Sequence, residues 1–293
     1  MIKYDKTKIT ELKSQIFEQS KVRLLIKRED QNHPFVSGNK WWKLKYNLEE
    51  ALRAGHTTLL TFGGAYSNHI YATAAAAHEL GLKSIGIIRG EETLPLNSTL
   101  SFAKASGMKL HYVSREVYRN KTDASFIEQL HNQFGGFYLI PEGGTNELAV
   151  KGCAEFARQL MSEVDFDYLC LPIGTGGTIA GMIEGVDESK KIIGFSSLKG
   201  GAFLEDEIRR YTAKKNWQLV YDYHFGGYAK VTNELTEFMN EFEKQFNIPL
   251  DPIYTAKMMF GILDLIRKNF FKSGSTILVI HTGGLQGRGG FNF

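Results

Sequence analysis

Short apolar runs alternate along the chain with longer stretches in which apolar residues recur at helical spacing. Uninterrupted apolar runs are typical of strands that are buried on both faces, whereas the longer periodic stretches indicate amphipathic helices. We predict strands at residues 23–27, 57–61, 83–88, 109–113, 137–140, 168–172, 191–195 and 276–280. Helices are predicted between them, among others at residues 67–80, 98–106, 148–162 and 236–245. Strand–helix alternation of this kind favours an α/β fold with parallel sheets that helices cover on both faces.

Two sheets fit the 293 residues better than one, so we predict two doubly wound parallel-sheet domains. The smaller domain is predicted to span residues 40–145, which contain four strand–helix units. The larger domain is predicted to combine residues 1–39 with residues 146–293. The stretch GGTNE, beginning at Gly143, suits the crossing between them because paired glycines tolerate a change of chain direction.

The stretch SGNKWWKLKYNLEEAL at residues 37–52 is predicted to form an amphipathic helix. Its apolar stripe runs through Leu44 and Ala51, and Lys40 falls almost in line with them. Asn39 is a plausible N-cap. An apolar surround and a helix N-terminus both disfavour an ammonium, so the pKa of Lys40 should be lowered, as an amine nucleophile requires. A small tilt of the helix would instead turn this lysine toward solvent, and the spacing alone leaves both alternatives open.

Two further lysines on this helix, Lys43 and Lys45, fall on either flank of the apolar stripe. Long lysine side chains at such positions reach water with their ammonium groups. We therefore interpret both as ordinary solvated charges.

Three glycine-rich turns follow predicted strands, at residues 63–64, 174–178 and 282–284. In open parallel sheets such turns gather at the carboxyl ends of the strands, where ligands bind. The second turn, GTGGT, can form a phosphate cradle, since its N–H groups and the following helix dipole favour an anion. Ile179 breaks the dinucleotide pattern and Met182 breaks the Walker A pattern. An amine nucleophile and a phosphate cradle together suggest pyridoxal 5'-phosphate as the cofactor.

Composition and charge narrow the function class. A net charge of +3 is too mild to indicate nucleic-acid binding. The charged start MIKYDKTKIT lacks the apolar core of a signal peptide, and no apolar run approaches a membrane span, so a cytoplasmic protein is expected. Cys170 lies in an apolar run and is predicted to be a buried free thiol. The histidines lack ligand-spaced partners, and no metal site is predicted.

Six motifs occur in the order found in a known family: SGNKWWKL, GGAYSNH, PEGGTN, GTGGT, DPIYTAK and HTGG. From about residue 22 to residue 290 the chain resembles the family of 1-aminocyclopropane-1-carboxylate deaminase and D-cysteine desulfhydrase. These are fold-type II pyridoxal-phosphate enzymes, similar to the tryptophan synthase β-subunit. The resemblance implies a homodimer that acts on a small amino acid.

The resemblance also implies roles for individual residues. Lys40 would form the Schiff base with the cofactor, and Asn68 would hydrogen-bond its phenolic oxygen. Ser67, Asn68 and His69 would bind the substrate carboxylate, with Ser67 as a possible proton relay or nucleophile. The phosphate would be held by Gly174, Thr175, Gly176, Gly177 and Thr178. Tyr228 and Tyr254 match the two active-site tyrosines of the family.

The chain departs from the deaminases at two positions that bear on the reaction. In the deaminases that the chain resembles, a glutamate occupies the position of Thr255 and a leucine occupies that of Thr282. A hydroxyl beside the pyridine nitrogen makes a weaker electron sink than a glutamate, which suffices for expelling a good leaving group. We therefore expect α,β-elimination of a small D-amino acid such as D-cysteine, giving pyruvate, ammonia and sulfide. The alternatives are 1-aminocyclopropane-1-carboxylate deamination and a cofactor- or metabolite-binding protein without turnover.

Two tryptophans, Trp41 and Trp42, follow the lysine where the family has a small residue and an arginine. They are expected to alter either the pocket wall or the packing behind it.

Overall fold

The computed structural model describes residues 1–290, which form ten strands and eleven α-helices. The strands are β1 (Ile9–Leu12), β2 (Arg23–Lys27), β3 (Thr58–Gly63), β4 (Lys83–Arg89), β5 (Met108–Val113), β6 (Tyr138–Ile140), β7 (Tyr168–Ile173), β8 (Lys191–Ser196), β9 (Trp217–Val220) and β10 (Thr276–Ile280). The helices are α1 (Gln15–Gln19), α2 (Asn39–Arg53), α3 (Asn68–Glu79), α4 (Ser98–Ala105), α5 (Arg115–Arg119), α6 (Ala124–Phe134), α7 (Glu147–Glu163), α8 (Gly177–Gly185), α9 (Leu204–Arg209), α10 (Asn233–Phe246) and α11 (Thr255–Arg267).

The strands form two sheets. One has six strands in the order β1-β2-β10-β7-β8-β9, and the other has four in the order β5-β4-β3-β6. All neighbours run parallel except β1, which pairs antiparallel with β2. The predicted α/β class with two parallel sheets is confirmed. The division of the chain at residues 39/40 and 145/146 stays a prediction.

The six-stranded sheet separates two apolar cores, because successive residues of a strand face opposite sides. Leu278 and Ile280 of β10 pack into the core that contains residues of α2, α7 and α8, while Ile277 and Val279 pack into the core with residues of α10 and α11. Burying each such side chain stabilises the fold by roughly 1.5–3 kcal/mol. This layering brings the starts of α8 and α11 to the carboxyl edge of one sheet.

Two strands of the larger sheet, β1 and β9, were absent from the sequence-based prediction. They are its edge strands, and both are partly exposed along their length. Edge strands need no continuous apolar run, since one side and one face meet solvent. The hydrophobic pattern is therefore weak where the sheet ends.

Helix α2 packs closely on α7. A side chain at Gly152 would place its Cβ 2.0 Å from the main-chain oxygen of Trp42, so only glycine allows this approach. The Trp42 ring stacks on Phe156 at 4.8 Å between ring centroids. The indole N–H groups of Trp41 and Trp42 donate to the Lys3 main-chain oxygen and to Glu29. Both tryptophans therefore form the packing behind α2 and not the wall of a pocket.

Within residues 1–290, no helix combines the length and apolarity needed to cross a membrane. The same residues contain no group of three His, Cys, Asp or Glu side chains arranged to hold a metal ion. Cys170 is a buried free thiol, as its sequence context predicts.

Candidate active site

The start of α2 is fixed by close contacts with the last glycine-rich turn. Gly38 is the N-cap, with φ at 69°, and a Cβ there would lie 1.8 Å from the main-chain oxygen of Thr282. The prediction that Asn39 is the N-cap is wrong, because the contact with Thr282 requires the glycine at the turn and Asn39 becomes the first helical residue. Its side-chain amide donates to Thr178 Oγ1 at 2.8 Å and so ties α2 to the start of α8.

Lys40 is directed into a narrow cleft and not to open solvent. The cleft is lined by Phe35, Ser37, Lys40, Asn68, Tyr71, Ala72, Thr282, Gly284 and Gln286. Burial lowers the pKa of Lys40 to about 8, with partial compensation from the charge of Asp251. A substantial fraction of this amine is therefore neutral near pH 8, which is the form that attacks an aldehyde or accepts a proton.

Lys43 was interpreted as a solvated charge, and this prediction is wrong. Its side chain is 1% exposed, and Nζ donates to Thr145 Oγ1 at 2.9 Å and to Thr175 Oγ1 at 3.4 Å. The flank of α2 that carries it is covered by the turn before α7 and by the turn before α8, which the sequence of α2 alone does not reveal. Burial and the neighbouring Lys40 lower the pKa of Lys43 to about 7.

The glycines of the turn at residues 174–178 allow other groups to approach its backbone closely. Gly176 is the N-cap of α8 with φ at 82°, and α8 begins at Gly177. A Cβ on Gly177 would lie 2.8 Å from Thr145 and 3.2 Å from Lys43 Nζ, and one on Gly174 would lie 3.1 Å from the Tyr254 hydroxyl. Glycine at these positions lets Thr145, Lys43 and Tyr254 pack directly against the turn, beside the first N–H groups of α8, which can bind an anion.

The hydroxyls of Thr145 and Thr175 lie 2.7 Å apart beside Lys43 Nζ, whereas Thr178 Oγ1 accepts from Asn39. Two hydroxyls and one amine thus converge on the turn. Sequence analysis did not identify Lys43 or Thr145 as site residues. The signal available for Lys43 was its spacing of three residues from Lys40, which places both on neighbouring parts of one helix face.

The start of α3 faces the cleft from the other sheet. Ser67 is its N-cap and accepts a hydrogen bond from the Ile70 N–H at 3.3 Å. Asn68 lines the cleft, and its side-chain oxygen accepts from the Gln286 amide. This bond turns the Asn68 NH₂ group away from Gln286, so that it is available as a donor.

His69 is buried below Gly144 and is 1% exposed. The Thr61 hydroxyl donates to the Ile140 main-chain oxygen, so His69 Nε2, 2.8 Å from Thr61 Oγ1, carries the proton and donates to it. Burial, with the charges of Lys40 and Lys43, holds the pKa of His69 well below its usual value. A neutral, buried imidazole offers no positive charge to a carboxylate. The group of His69 that can serve its predicted role in binding the substrate carboxylate is therefore its main-chain N–H, in the first turn of α3.

The two tyrosines lie together. Their ring centroids are 6.1 Å apart, and Tyr254, the N-cap of α11, contacts the turn through Gly174. Burial raises the pKa of Tyr228 to about 12 and that of Tyr254 well above its usual value. The hydrogen bond between the two hydroxyls lowers the pKa of Tyr228 and raises that of Tyr254. Both hydroxyls are protonated near neutral pH.

The two threonines singled out in the sequence are in different surroundings. Thr282 lines the cleft with Lys40. Thr255 is fully buried, and its hydroxyl donates to Asp251 Oδ2 at 2.7 Å and accepts from the Asp251 N–H at 2.8 Å. The structure does not bring Thr255 to the cleft, because its hydroxyl is used in closing the first turn of α11.

These residues fit pyridoxal phosphate on structural grounds. An open glycine turn at a helix N-terminus, with Lys43 Nζ beside it, matches the phosphate, and the partly neutral amine of Lys40 matches the aldehyde. Asn68 and Thr282 line the space beside that amine, where the ring would be held.

Comparison with known proteins identifies the family. A model of the pyridoxal-phosphate dependent enzyme family matches residues 4–283. A Pyrococcus horikoshii protein called putative 1-aminocyclopropane-1-carboxylate deaminase is 32% identical, with 89% of this chain and 84% of that protein covered. A mitochondrial Arabidopsis thaliana protein called bifunctional D-cysteine desulfhydrase/1-aminocyclopropane-1-carboxylate deaminase is 32% identical, with 90% of this chain and 73% of that protein covered.

Solved structures agree with this family. A crystal structure of an ACC deaminase homologue superposes with a TM-score of 0.84 at 31% identity, with 96% of this chain and 90% of that chain covered. A hydrogen sulfide-producing enzyme from Fusobacterium nucleatum shares the fold, with a TM-score of 0.70 at 16% identity and 96% of each chain covered. The predicted family, fold type and cofactor are confirmed. The chain is a pyridoxal-phosphate dependent enzyme and belongs to the family of 1-aminocyclopropane-1-carboxylate deaminase and D-cysteine desulfhydrase.

Proposed function

We propose that this enzyme eliminates the β-substituent of a small D-amino acid such as D-cysteine. The observation that carries this proposal is the Thr282 hydroxyl, which lines the cleft beside Lys40. A hydroxyl polarises the pyridine nitrogen of the cofactor only weakly. A weak electron sink suffices for expelling thiolate, whereas opening a cyclopropane ring in a substrate without an acidic α-proton requires a stronger one.

Asp251 does not replace the missing glutamate in this argument. Its Oδ1 accepts from the N–H groups of Ile253 and Tyr254, and its Oδ2 accepts from Thr255. Each carboxylate oxygen is thus engaged within the first turn of α11, so Asp251 supports Tyr254 and leaves Thr282 as the polar group toward the ring.

The chain's own residues divide the remaining work. Lys43, Thr175 and the turn at residues 174–178 would hold the phosphate. Asn68 would donate to the phenolic oxygen, and the first turn of α3, capped by Ser67, would orient the substrate carboxylate. Bound pyridoxal phosphate supplies an aldehyde for amino groups and a conjugated ring that accepts electrons from Cα.

Proton movement is assigned to Lys40 and the tyrosines. The amine of Lys40, in its neutral form, would accept the α-proton of the substrate. Tyr228 and Tyr254 are protonated, and the Tyr228 hydroxyl donates to the departing sulfur. D-cysteine and one water then yield pyruvate, ammonia and hydrogen sulfide, which balances all atoms.

The direct test is a substrate panel with the purified holoenzyme. D-cysteine, L-cysteine and 1-aminocyclopropane-1-carboxylate are incubated separately, and sulfide, pyruvate and 2-oxobutanoate are measured. Sulfide and pyruvate in equal amounts from D-cysteine are expected. Turnover of the cyclopropane substrate without sulfide release from either cysteine would refute the proposal.

Deamination of 1-aminocyclopropane-1-carboxylate is the second candidate. It is favoured by the name of the Pyrococcus horikoshii relative, while the Arabidopsis thaliana relative is named for both activities. The panel separates the two by product, because this reaction gives 2-oxobutanoate. Protein that is coloured but whose spectrum no amino acid perturbs would instead indicate binding without turnover.

We also propose a cytoplasmic homodimer with the predicted domain boundaries. The family resemblance supports the dimer. Light scattering of the purified protein tests the first, and cell fractionation tests the second.

A further inference from the structure

The segment that carries Tyr228 has an unusual backbone. Phe225, Gly226 and Gly227 have φ angles of 50°, 90° and 115°, and Ala229 has φ at 55°. Two of these residues carry side chains, for which the left-handed region is unfavourable. Such a conformation persists only where surrounding contacts impose it, so the contacts that hold this segment matter for where Tyr228 lies.

One face of α11 supplies those contacts, at positions 257, 261 and 264, which follow helical spacing. Lys257 Nζ donates to the main-chain oxygens of His224 at 2.9 Å and Gly227 at 2.8 Å. A Cβ on Gly261 would lie 2.7 Å from the Tyr223 ring. The Tyr223 hydroxyl donates to Asp264 at 2.6 Å.

Lys257 is the polar centre of this face. Its side chain is 2% exposed, although burying an ammonium is unfavourable. Two hydrogen bonds from a charged donor compensate for that burial, and they go to the carbonyls of His224 and Gly227, which bracket Phe225 and Gly226. The same helix begins directly after Tyr254, so one rigid element holds both tyrosines.

We propose that Lys257 is a positioning residue that holds the segment 224–228 so that Tyr228 meets Tyr254. The inference rests on the proposed function only for the statement that Tyr228 takes part in the reaction. The placement of the segment itself is independent of that function.

The first experiment measures the segment without using activity. Hydrogen exchange is followed by mass spectrometry in peptides covering residues 224–230 of the holoenzyme and of Lys257→Met, Lys257→Gln and Lys214→Met. Lys214 is the matched control, because its Nζ also donates to main-chain oxygens, those of Ile183, Glu184 and Val186, at the end of α8. Faster exchange in these peptides is expected for Lys257→Met, less for Lys257→Gln, and no change for Lys214→Met. Unchanged exchange in both Lys257 variants overturns the inference.

The second experiment is a double-mutant cycle with Tyr228→Phe, using D-cysteine elimination as the readout. Misplacing a reacting group by about 1 Å costs on the order of 10²-fold in rate, so Lys257→Met should lower kcat by about that factor with a smaller change in KM. In the Tyr228→Phe background the same substitution should change kcat less than threefold, since the group it positions is already gone. Additive losses would show that Lys257 acts elsewhere. If Lys257→Met does not fold, Lys257→Gln completes the cycle.

The two experiments separate the two ideas. Absence of elimination in the wild-type holoenzyme with faster exchange in the Lys257 variants refutes the proposed function and supports the positioning role. Elimination by the wild-type holoenzyme, together with unchanged exchange in the Lys257 variants, supports the proposed function and refutes the positioning role.

Discussion

Two helices, α3 and α8, begin directly after a parallel strand and a glycine-containing turn, but their first turns are completed differently. Ser67 caps α3 with its own side chain, which accepts from the Ile70 N–H. Gly176 caps α8 without any side-chain hydrogen bond. The first turn of α3 is therefore partly satisfied by the protein, whereas that of α8 is left for a ligand.

The starts of α3 and α8 also differ in the charge of the side chains beside them. Lys43 Nζ lies beside the turn before α8, while the imidazole at the start of α3 is neutral. An uncapped helix start with a buried amine suits a phosphate that stays bound through many turnovers. A capped start without added charge suits a carboxylate that must enter and leave. Under the proposed function, this difference assigns the start of α8 to the cofactor and the start of α3 to the substrate.

The largest effect is expected at Lys40, which lines the cleft together with Asn68 from the start of α3. Lys40→Ala should abolish the colour of the cofactor–enzyme complex and lower the elimination rate by on the order of 10³-fold or more, since it removes both the covalent anchor and a proton acceptor. Absorbance spectra and single-turnover assays measure the two losses. Retention of colour and rate would show that another amine serves this role.

Lys43→Met should weaken cofactor binding by roughly 10- to 100-fold, because one charge-assisted hydrogen bond to the phosphate, worth about 1.5–3 kcal/mol, is lost. Titration of the cofactor-free protein with pyridoxal phosphate measures the dissociation constant. Lys45→Met is the matched control: Lys45 lies on the other flank of α2 and pairs with Glu155. Equal weakening in both variants would contradict the assignment.

The cofactor-free protein should become more stable as pH rises from about 7 to 9. The folded-state pKa values of Lys43, Lys40 and Lys257 are lowered to about 7, 8 and 8. Their unfolded-state values are higher, so over this interval the unfolded chain binds more protons and rising pH favours the folded state. The free energy of unfolding, measured by urea titration, should increase by on the order of 5 kcal/mol. Lys43→Met should flatten this dependence; a profile that falls with pH would exclude these lysines as its source.

Ser67→Ala should have the smallest effect and should act on the substrate side alone. Loss of the cap lowers the free energy of unfolding by about 1 kcal/mol, and the KM for D-cysteine should rise a few-fold while the cofactor affinity is unchanged. Ser114→Ala is the control, because Ser114 caps α5 through the Val117 N–H. It should cost similar stability without altering KM. A loss of cofactor affinity in Ser67→Ala would erase the distinction between the two helix starts.

Much of the fold was predictable because the buried strands have local patterns. The predicted strands at residues 23–27 and 276–280 coincide with β2 and β10, which lie inside the sheet and contain the uninterrupted buried apolar runs 24–26 and 277–280. The edge strand β9 was not predicted, because a half-exposed strand leaves no such pattern. Strands are therefore predicted most accurately from the sequence where other elements cover both faces of the strand.

The sequence by itself determined that α2 is amphipathic with Lys40 close to its apolar stripe, and that a glycine-rich turn at residues 174–178 follows a strand. Tertiary structure decided the rest. Lys43 is buried because the turns before α7 and α8 cover its flank, and Thr255 is withdrawn from the cleft because Asp251 takes its hydroxyl. The periodicity of a single helix shows which of its sides is apolar. It does not show which segment covers the flank that carries Lys43, because the covering residues Thr145 and Thr175 lie more than a hundred positions away.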